Sequence, residues 1–281
     1  VETKIIPSKD SIKLSRPVEL NAHAIFKKLE RKLRSNFNIS REERLGLCLF
    51  DLKNDAVVAS INGRQTFQTG SMIKLFIAYA ALKANPKWFL KRDCAEYKLL
   101  VQMLKKSSNA AANQLLSKLG GPDSCQSILE QLPNIFLNTH IRSAVPKDGK
   151  QYQSTSSPQD CVRLLREIYT SKDKASKEFL SMLSEPARCR FRLKKDDGFS
   201  LKSSYYNKTG STGRVCCESS IIVPDQLEVP FVLCVIIDRT EAVSSCEAWL
   251  PAREKCLNQF AQEAYGIMRR MAYIVNTESE T

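Results

Sequence analysis

The sequence predicts an α/β (α+β) fold: one antiparallel sheet flanked by N- and C-terminal helices and carrying an all-helical subdomain. Three observations predict it. Strand-like runs lie near both ends of the chain: Leu45 to Leu52 and Ala56 to Ile61 on one side, and Ser203 to Gly210, Val215 to Val223 and Val229 to Asp238 on the other. Only helical patterns and one irregular stretch separate them, so the sheet has to be assembled from distant sequence. A helical period precedes the first strand and another follows the last. The 281 residues are accordingly read as a single domain, 1–281, in which an α/β part (19–68 and 203–281) encloses a helical part (69–202), with 1–18 as an N-terminal arm.

The elements follow in order. Residues 1–18 are polar and carry two prolines, as an extended lead-in would. Ala22, Phe26, Leu29 and Leu33 then recur at helical spacing, with lysines and arginines on the other side. Lys53-Asn54-Asp55 turns the first two strands into a hairpin, and Asn62-Gly63 is a second turn signal. From Met72 to Leu82 every residue except Lys74 is apolar or aromatic, so a helix here is hydrophobic all round and lies inside the protein, ending near Asn85-Pro86. Helical segments follow at about 94–106, 109–119 and 123–132, with Gly120-Gly121-Pro122 as a stop and a new start. The pattern fails from Pro133 to Pro158, and long irregular loops in compact domains are usually functional. Ser157-Pro158 opens a helix towards Thr170, and another covers about 174–184. Beyond the last strand, Pro251 fits the first turn of a long C-terminal helix running to about Val275.

Composition narrows the function classes. A hydrophobic content of 43% supports a sizeable core. Outside the Met72 helix the longest apolar run, Val229 to Ile237, contains Pro230 and is too short to cross a bilayer, so no membrane span is expected. Val1 begins without the pattern of a signal peptide, which fits either a cytosolic chain or a mature form whose signal has been removed. The net charge of +13 points to anionic partners, among them nucleic acid, acidic polymers and carboxylate substrates. The basic residues are scattered, with no stripe of interleaved aromatics, and no nucleic-acid partner is expected. Ten cysteines form no C-x-x-C pair and only two histidines accompany them, so neither a metal site nor a cofactor is expected. Cysteines among apolar neighbours behave as small hydrophobes, and disulfides are left open.

Three short motifs carry chemistry. In Ser71-Met72-Ile73-Lys74 the i, i+3 spacing brings a hydroxyl and an amine onto one helical face. Burial lowers a lysine pKa towards the range of a base, and a serine beside a base is an activated nucleophile. Gly70 marks the turn that places the Ser71 N–H among the donors of a helix N-terminus. A second copy of the spacing, Ser171 to Lys174, lies in a polar stretch and reads as surface. Ser107-Ser108-Asn109 sits at a break between helices, where such residues are ordinary caps. Lys208-Thr209-Gly210, followed by Ser211, ends a strand; lysine and hydroxyl there can bind a carboxylate, and glycine lets a substrate backbone approach the strand edge.

Taken together and in this order, the motifs resemble the S-x-x-K, S-D-N and K-T-G signature of the penicillin-recognising serine enzymes, class A β-lactamases and penicillin-binding proteins. The segment Met103 to Leu116 around Ser107, Gly120-Gly121-Pro122 and Thr155-Ser156-Ser157-Pro158 extend the resemblance over nearly the whole chain. It implies a β-lactamase/D,D-peptidase-like fold and an acyl-enzyme mechanism. Ser71 would attack an amide carbonyl, Lys74 take or relay its proton, and Ser107 pass a proton to the leaving nitrogen. The backbone N–H groups of Ser71 and Ser211 would form the oxyanion hole. Asn109 would hold the substrate's side-chain amide, and Lys208 and Thr209, with Gly210, its carboxylate. The implied partner is a small molecule or peptide bearing a carboxylate, a β-lactam or a peptidoglycan stem peptide. The implied location is periplasmic or secreted, with the signal peptide already removed.

Two departures from the family pattern stand out. Ser108 replaces the aspartate of S-D-N. The glutamate that activates deacylating water in class A β-lactamases is missing: the resemblance aligns Asn138 with it, and Pro133 to Val145 contains no Asp or Glu, Glu130 lying before it and Asp148 after it. An amide is no general base. The sequence therefore reads as a serine acyl-enzyme hydrolase, D-alanyl-D-alanine peptidase-like, with weak deacylation. The alternatives are an active β-lactamase using another deacylation route, a serine-dependent glutaminase, and a binding protein that has lost turnover.

Overall fold

The computed structural model describes residues 16–36, 38–132, 136–146, 153–184, 188–194, 202–225 and 229–278. In chain order the elements are α1 (Arg16–Ser35), β1 (Glu43–Asp51), β2 (Ala56–Ile61), β3 (Phe67–Gln68), a 3₁₀ turn (Gly70–Ile73), α2 (Lys74–Ala84), α3 (Lys87–Leu90), α4 (Ala95–Lys105), α5 (Asn109–Lys118) and α6 (Pro122–Glu130). Then come β4 (Thr155–Ser156), α7 (Pro158–Thr170), α8 (Lys174–Leu183), β5 (Ser203–Ser211), β6 (Val215–Pro224), β7 (Phe231–Arg239) and α9 (Cys246–Glu278).

Among the described residues β1, β2, β5, β6 and β7 form one antiparallel sheet in the order β2-β1-β7-β6-β5. Both of its faces are covered, which is why β7 reads as a continuous apolar run rather than an alternating one. Successive side chains of a strand point to opposite faces. Leu45, Leu47 and Leu49 of β1, with Leu233, Val235 and Ile237 of β7, pack with Phe26 of α1 and Leu257 and Phe260 of α9. Cys48, Phe50, Val232, Cys234 and Ile236 face the other way, into the core shared with α2 and α7. The sheet's last strand, β5, and its neighbour β6 both reach the 3₁₀ turn.

Helix α2 is buried from Lys74 through Leu82, as its all-apolar circumference requires. Its Phe76 and Tyr79 rings meet Phe136 edge-on, with centroids 5.3 and 5.4 Å apart, so the loop after α6 packs onto the same helix.

The structure departs from the sequence-based expectation at several boundaries. Of the arm expected over 1–18, residues 1–15 lie outside the described residues, and Arg16 to Val18 already belong to α1. Pro17 stands in its first turn, where a missing N–H costs nothing. Pro251 does not open the C-terminal helix; α9 begins at Cys246 and holds Pro251 inside. The stretch Pro133 to Pro158 is not wholly irregular, since β4 pairs with β3 and His140 bridges Thr155. Two-residue strands carry too little pattern to be legible. The short helix α3 was not anticipated either, because Pro86 read as a terminator and also starts the next turn.

Candidate active site

The nucleophile candidate is placed by a tight turn. Chain enters through β3, whose Gln68 N–H donates to Asp238 Oδ2 at 3.1 Å, and then turns at Gly70, which has φ +48. Only glycine adopts that conformation cheaply. Met72 N–H donates to Thr69 O at 3.0 Å, closing a 3₁₀ turn that carries Ser71, and the α-helix proper starts only at Lys74.

Lys74 is fully buried, and its Nζ lies 2.9 Å from Ser71 Oγ. It also lies 2.6 Å from Ser107 O, 2.6 Å from Asn109 Oδ1 and 3.3 Å from Ser107 Oγ. All these partners are neutral. Burial, with the Lys208 charge adding to it, pushes Lys74 down to about 7. A neutral amine has two N–H donors and one lone pair. The Ser107 carbonyl and the Asn109 amide oxygen can only accept, so they take both donors and leave the lone pair for the Ser71 hydroxyl.

Within Ser107-Ser108-Asn109, the capping expected at the break between helices falls to Ser108. Ser108 caps α5, its Oγ accepting from Ala111 N–H at 3.1 Å. Ser107 sits before that cap in a left-handed conformation, φ +56, which aims both its carbonyl and its hydroxyl at Lys74. Its Oγ also accepts from Lys208 Nζ at 3.0 Å. Asn109 is engaged within the protein at both ends, since its Nδ2 donates to Pro146 O at 2.8 Å.

Lys208 is buried, and its Nζ reaches Ser107 Oγ and Thr209 O, both at 3.0 Å. Burial pushes it down to about 8. Gly210 serves the protein's own backbone: a Cβ there would stand 2.0 Å from Thr69 O and 3.1 Å from Met72 N. A Cβ at Gly70 would stand 3.1 Å from Ser211 N, so the turn of Ser71 and the end of β5 are pressed together.

The loop after α6 is pinned to three helices. Asp160, buried in α7, accepts from Asn138 N–H and Thr139 Oγ1, both at 2.8 Å, and Gln126 of α6 accepts from Ile141 N–H at 2.8 Å. Asn113 of α5 clasps Val145 through both backbone groups, at 2.7 and 2.9 Å. The loop residues joined to Asn109 and its helix are therefore Val145 and Pro146, while Asn138 is anchored to α7 by Asp160. Asp148 lies outside the described residues.

A cleft of about 200 Å³ is lined by Ser71, Ser107, Lys208, Thr209 and Ser211, with Leu104, Lys105, Arg188 and Asn207 completing it. The structure thus brings Ser71, Lys74, Ser107, Asn109, Lys208, Thr209, Gly210 and Ser211 into one place from three segments of chain. Sequence reasoning missed Lys105, Arg188 and Asn207. Asn207 adjoins a motif residue and was within reach. Arg188 carried no signal; it arrives because Asn207 Nδ2 donates to its carbonyl at 3.1 Å and its guanidinium pairs with Glu254 at 2.7 Å.

Among the described residues, no group of three or more His, Cys, Asp or Glu could hold a metal ion, and no helix is long and apolar enough to cross a membrane. All ten cysteines are free thiols, most of them buried.

Comparison with known proteins bears on this geometry. Residues 28–86 and 95–268 match the beta-lactamase enzyme family. No curated protein matches. Among solved structures, that of PBP-A is 18% identical, covers 86% of this chain and 96% of its own, and has a TM-score of 0.66. An acyl-enzyme complex of a PBP-A mutant with penicillin G is 18% identical over 83% of this chain and 96% of its own, with a TM-score of 0.62. A β-lactamase from Burkholderia phymatum is 16% identical over 89% and 99%, with a TM-score of 0.66. At these identities the structural likeness establishes the fold.

Proposed function

Because the chain belongs to the beta-lactamase enzyme family, whose function is of the serine β-lactamase or penicillin-binding type, we propose that it is a serine acyl-enzyme that binds β-lactams or D-Ala-D-Ala-type peptides covalently through Ser71. One observation carries this reading: Lys74 Nζ lies 2.9 Å from Ser71 Oγ and 2.6 Å from both the Ser107 carbonyl and the Asn109 amide oxygen, two acceptors that take the N–H groups of the amine in its neutral form. Its lone pair is directed to the Ser71 proton, and a pKa near 7 keeps much of it neutral at physiological pH.

The steps follow. Ser71 Oγ attacks the substrate's amide carbonyl as its proton passes to Lys74 Nζ, and the carbonyl oxygen takes up charge facing the Ser71 and Ser211 N–H groups. Ser107 Oγ, between Lys74 and Lys208, passes a proton to the leaving nitrogen while Lys74 returns one to Ser107. The amide C–N bond breaks, and the acyl group stays on Ser71 as an ester. Lys208 spends two N–H groups on Ser107 and Thr209, and its third serves the substrate carboxylate with the Thr209 hydroxyl. Asn109 acts chiefly on Lys74, since both its amide ends are engaged.

Deacylation is the weak step in this reading. The loop joins Pro146 to Asn109 and Val145 to Asn113, and neither Pro146 nor Val145 carries a group that can activate water. The substrate class argues for a periplasmic or secreted location, whereas ten free thiols are commoner in a reducing compartment. Intact mass after incubation with penicillin G tests the function: a stable adduct of one penicillin, absent from Ser71→Ala, is the expected result. An unmodified parent, or an adduct mapped to another residue, would overturn it.

A further inference from the structure

The turn that carries Ser71 and the strand end that carries Ser211 are joined by a side chain the steps above do not use. Cys217 of β6 is fully buried, pairs with Gly210 in the β5–β6 register, and places its Sγ 3.2 Å from Thr69 O and 3.5 Å from Gly210 O. Those carbonyls belong to the two segments that supply the oxyanion donors. The Gly210 carbonyl and the Ser211 N–H share one planar peptide unit and point in opposite directions. A group that holds the carbonyl on the core side therefore sets the N–H on the cleft side.

The fit has no slack. A Cβ at residue 210 would meet Cys217 Sγ at 2.7 Å as well as Thr69 O at 2.0 Å. Burial raises the Cys217 thiol well above its usual range, so it stays protonated and remains a donor, a weak one, at neutral pH. Its single proton goes to the nearer carbonyl, that of Thr69, which also receives Met72 N–H. The sulfur itself fills the space against Gly210.

We propose that Cys217 is a positioning residue for acylation: its S–H holds the Thr69 carbonyl, which closes the turn carrying Ser71, against the Gly210 end of β5, and thereby sets the Ser71 and Ser211 N–H groups against the substrate carbonyl. The proposal rests on the acyl-enzyme reading. Serine at 217 keeps a donor and alanine does not. Removing an oxyanion donor outright costs about 10² to 10³ in rate, and misplacing one by a fraction of an ångström should cost less, roughly tenfold.

The test uses the full chain and penicillin G, separating reversible affinity from the limiting acylation rate by rapid-quench mass spectrometry. Cys217→Ala should lower the limiting rate about tenfold with reversible affinity within about threefold, and Cys217→Ser should recover most of the rate. Equal rates for Cys217→Ala and parent would overturn the proposal, as would a slow Cys217→Ala whose defect serine fails to rescue. If the parent itself is not acylated, the acyl-enzyme reading fails and this proposal falls with it. Should Cys217→Ala not fold, the infrared difference between parent and Cys217→Ser isolates the Cys217 S–H stretch. A band shifted down from that of free thiols supports the bond, and one at the free position overturns it.

Discussion

Lys74 Nζ lies 2.6 Å from the carbonyl oxygen of Ser107, and Ser107 holds that carbonyl in place only by adopting φ +56. A non-glycine residue in this region costs of order 1–2 kcal/mol, so backbone strain at Ser107 is part of how the buried lysine is satisfied. Ser107→Gly should therefore be more stable than Ser107→Ala, by about 1 kcal/mol in denaturant unfolding. Both should acylate slowly for want of the hydroxyl. Equal stability of the two would show that the conformation carries no strain.

Lys74 sets the pH dependence. Acylation needs the neutral amine, so the limiting rate should rise with pH through about 7. Stability has the same sign. Between about 7 and the ordinary lysine range the unfolded chain binds a proton that folded Lys74 does not, so unfolding free energy rises with pH across that window. Lys208, down to about 8, adds in the same direction. Lys74→Met should flatten the lower part of this slope, measured by urea unfolding at a series of pH values.

Gly210 and Gly213 make a matched pair. A Cβ at 210 would stand 2.0 Å from backbone Thr69 O, whereas at 213 the nearest atom is 3.5 Å away. Gly210→Ala should part β5 from the Ser71 turn, costing about 1–3 kcal/mol or more and removing penicillin labelling. Gly213→Ala should label as the parent does, and a labelled Gly210→Ala would refute the close approach.

Lys208→Ala should weaken reaction with β-lactams that carry a carboxylate by roughly 1.5–3 kcal/mol in kinact/KI, the value of a charge-assisted hydrogen bond. The loss should be smaller for the corresponding esters. Matching losses for acid and ester would remove the carboxylate role.

The adduct should persist. General-base catalysis contributes about 10² to 10⁴, and the loop beside the site supplies no base from Val145 or Pro146. Asn138→Glu, at the position the resemblance aligns with the missing glutamate, should shorten the adduct lifetime, measured by intact mass against time. Asp148→Asn should leave the lifetime unchanged. Rapid turnover by the parent, about 10 s⁻¹ as for a median enzyme, would sink the claim.

Much of this was legible in one dimension. An all-apolar helix around a single lysine can only be buried, so Met72 to Leu82 announced both the core helix and a lysine in need of neutral partners. Strands at both ends of the chain required a sheet closed over long separations. Turn chemistry marked Gly70, Gly120 and Pro158, since these depend on local backbone preference alone. Which atoms serve Lys74 was not legible: the carbonyl of Ser107 has no sequence signature, and its direction depends on a backbone angle. The two-residue strands β3 and β4 exist only as each other's partner. The same holds for the contacts of Val145 with Asn113 and of Pro146 with Asn109, and for Cys217, whose place behind Ser71 comes from the register of β5 on β6. Sequence determined what had local or periodic cause, the elements, the buried lysine and the three motifs; tertiary structure alone decided which distant atoms meet, because hydrogen bonds between segments a hundred residues apart follow from packing the sheet and helices against one core.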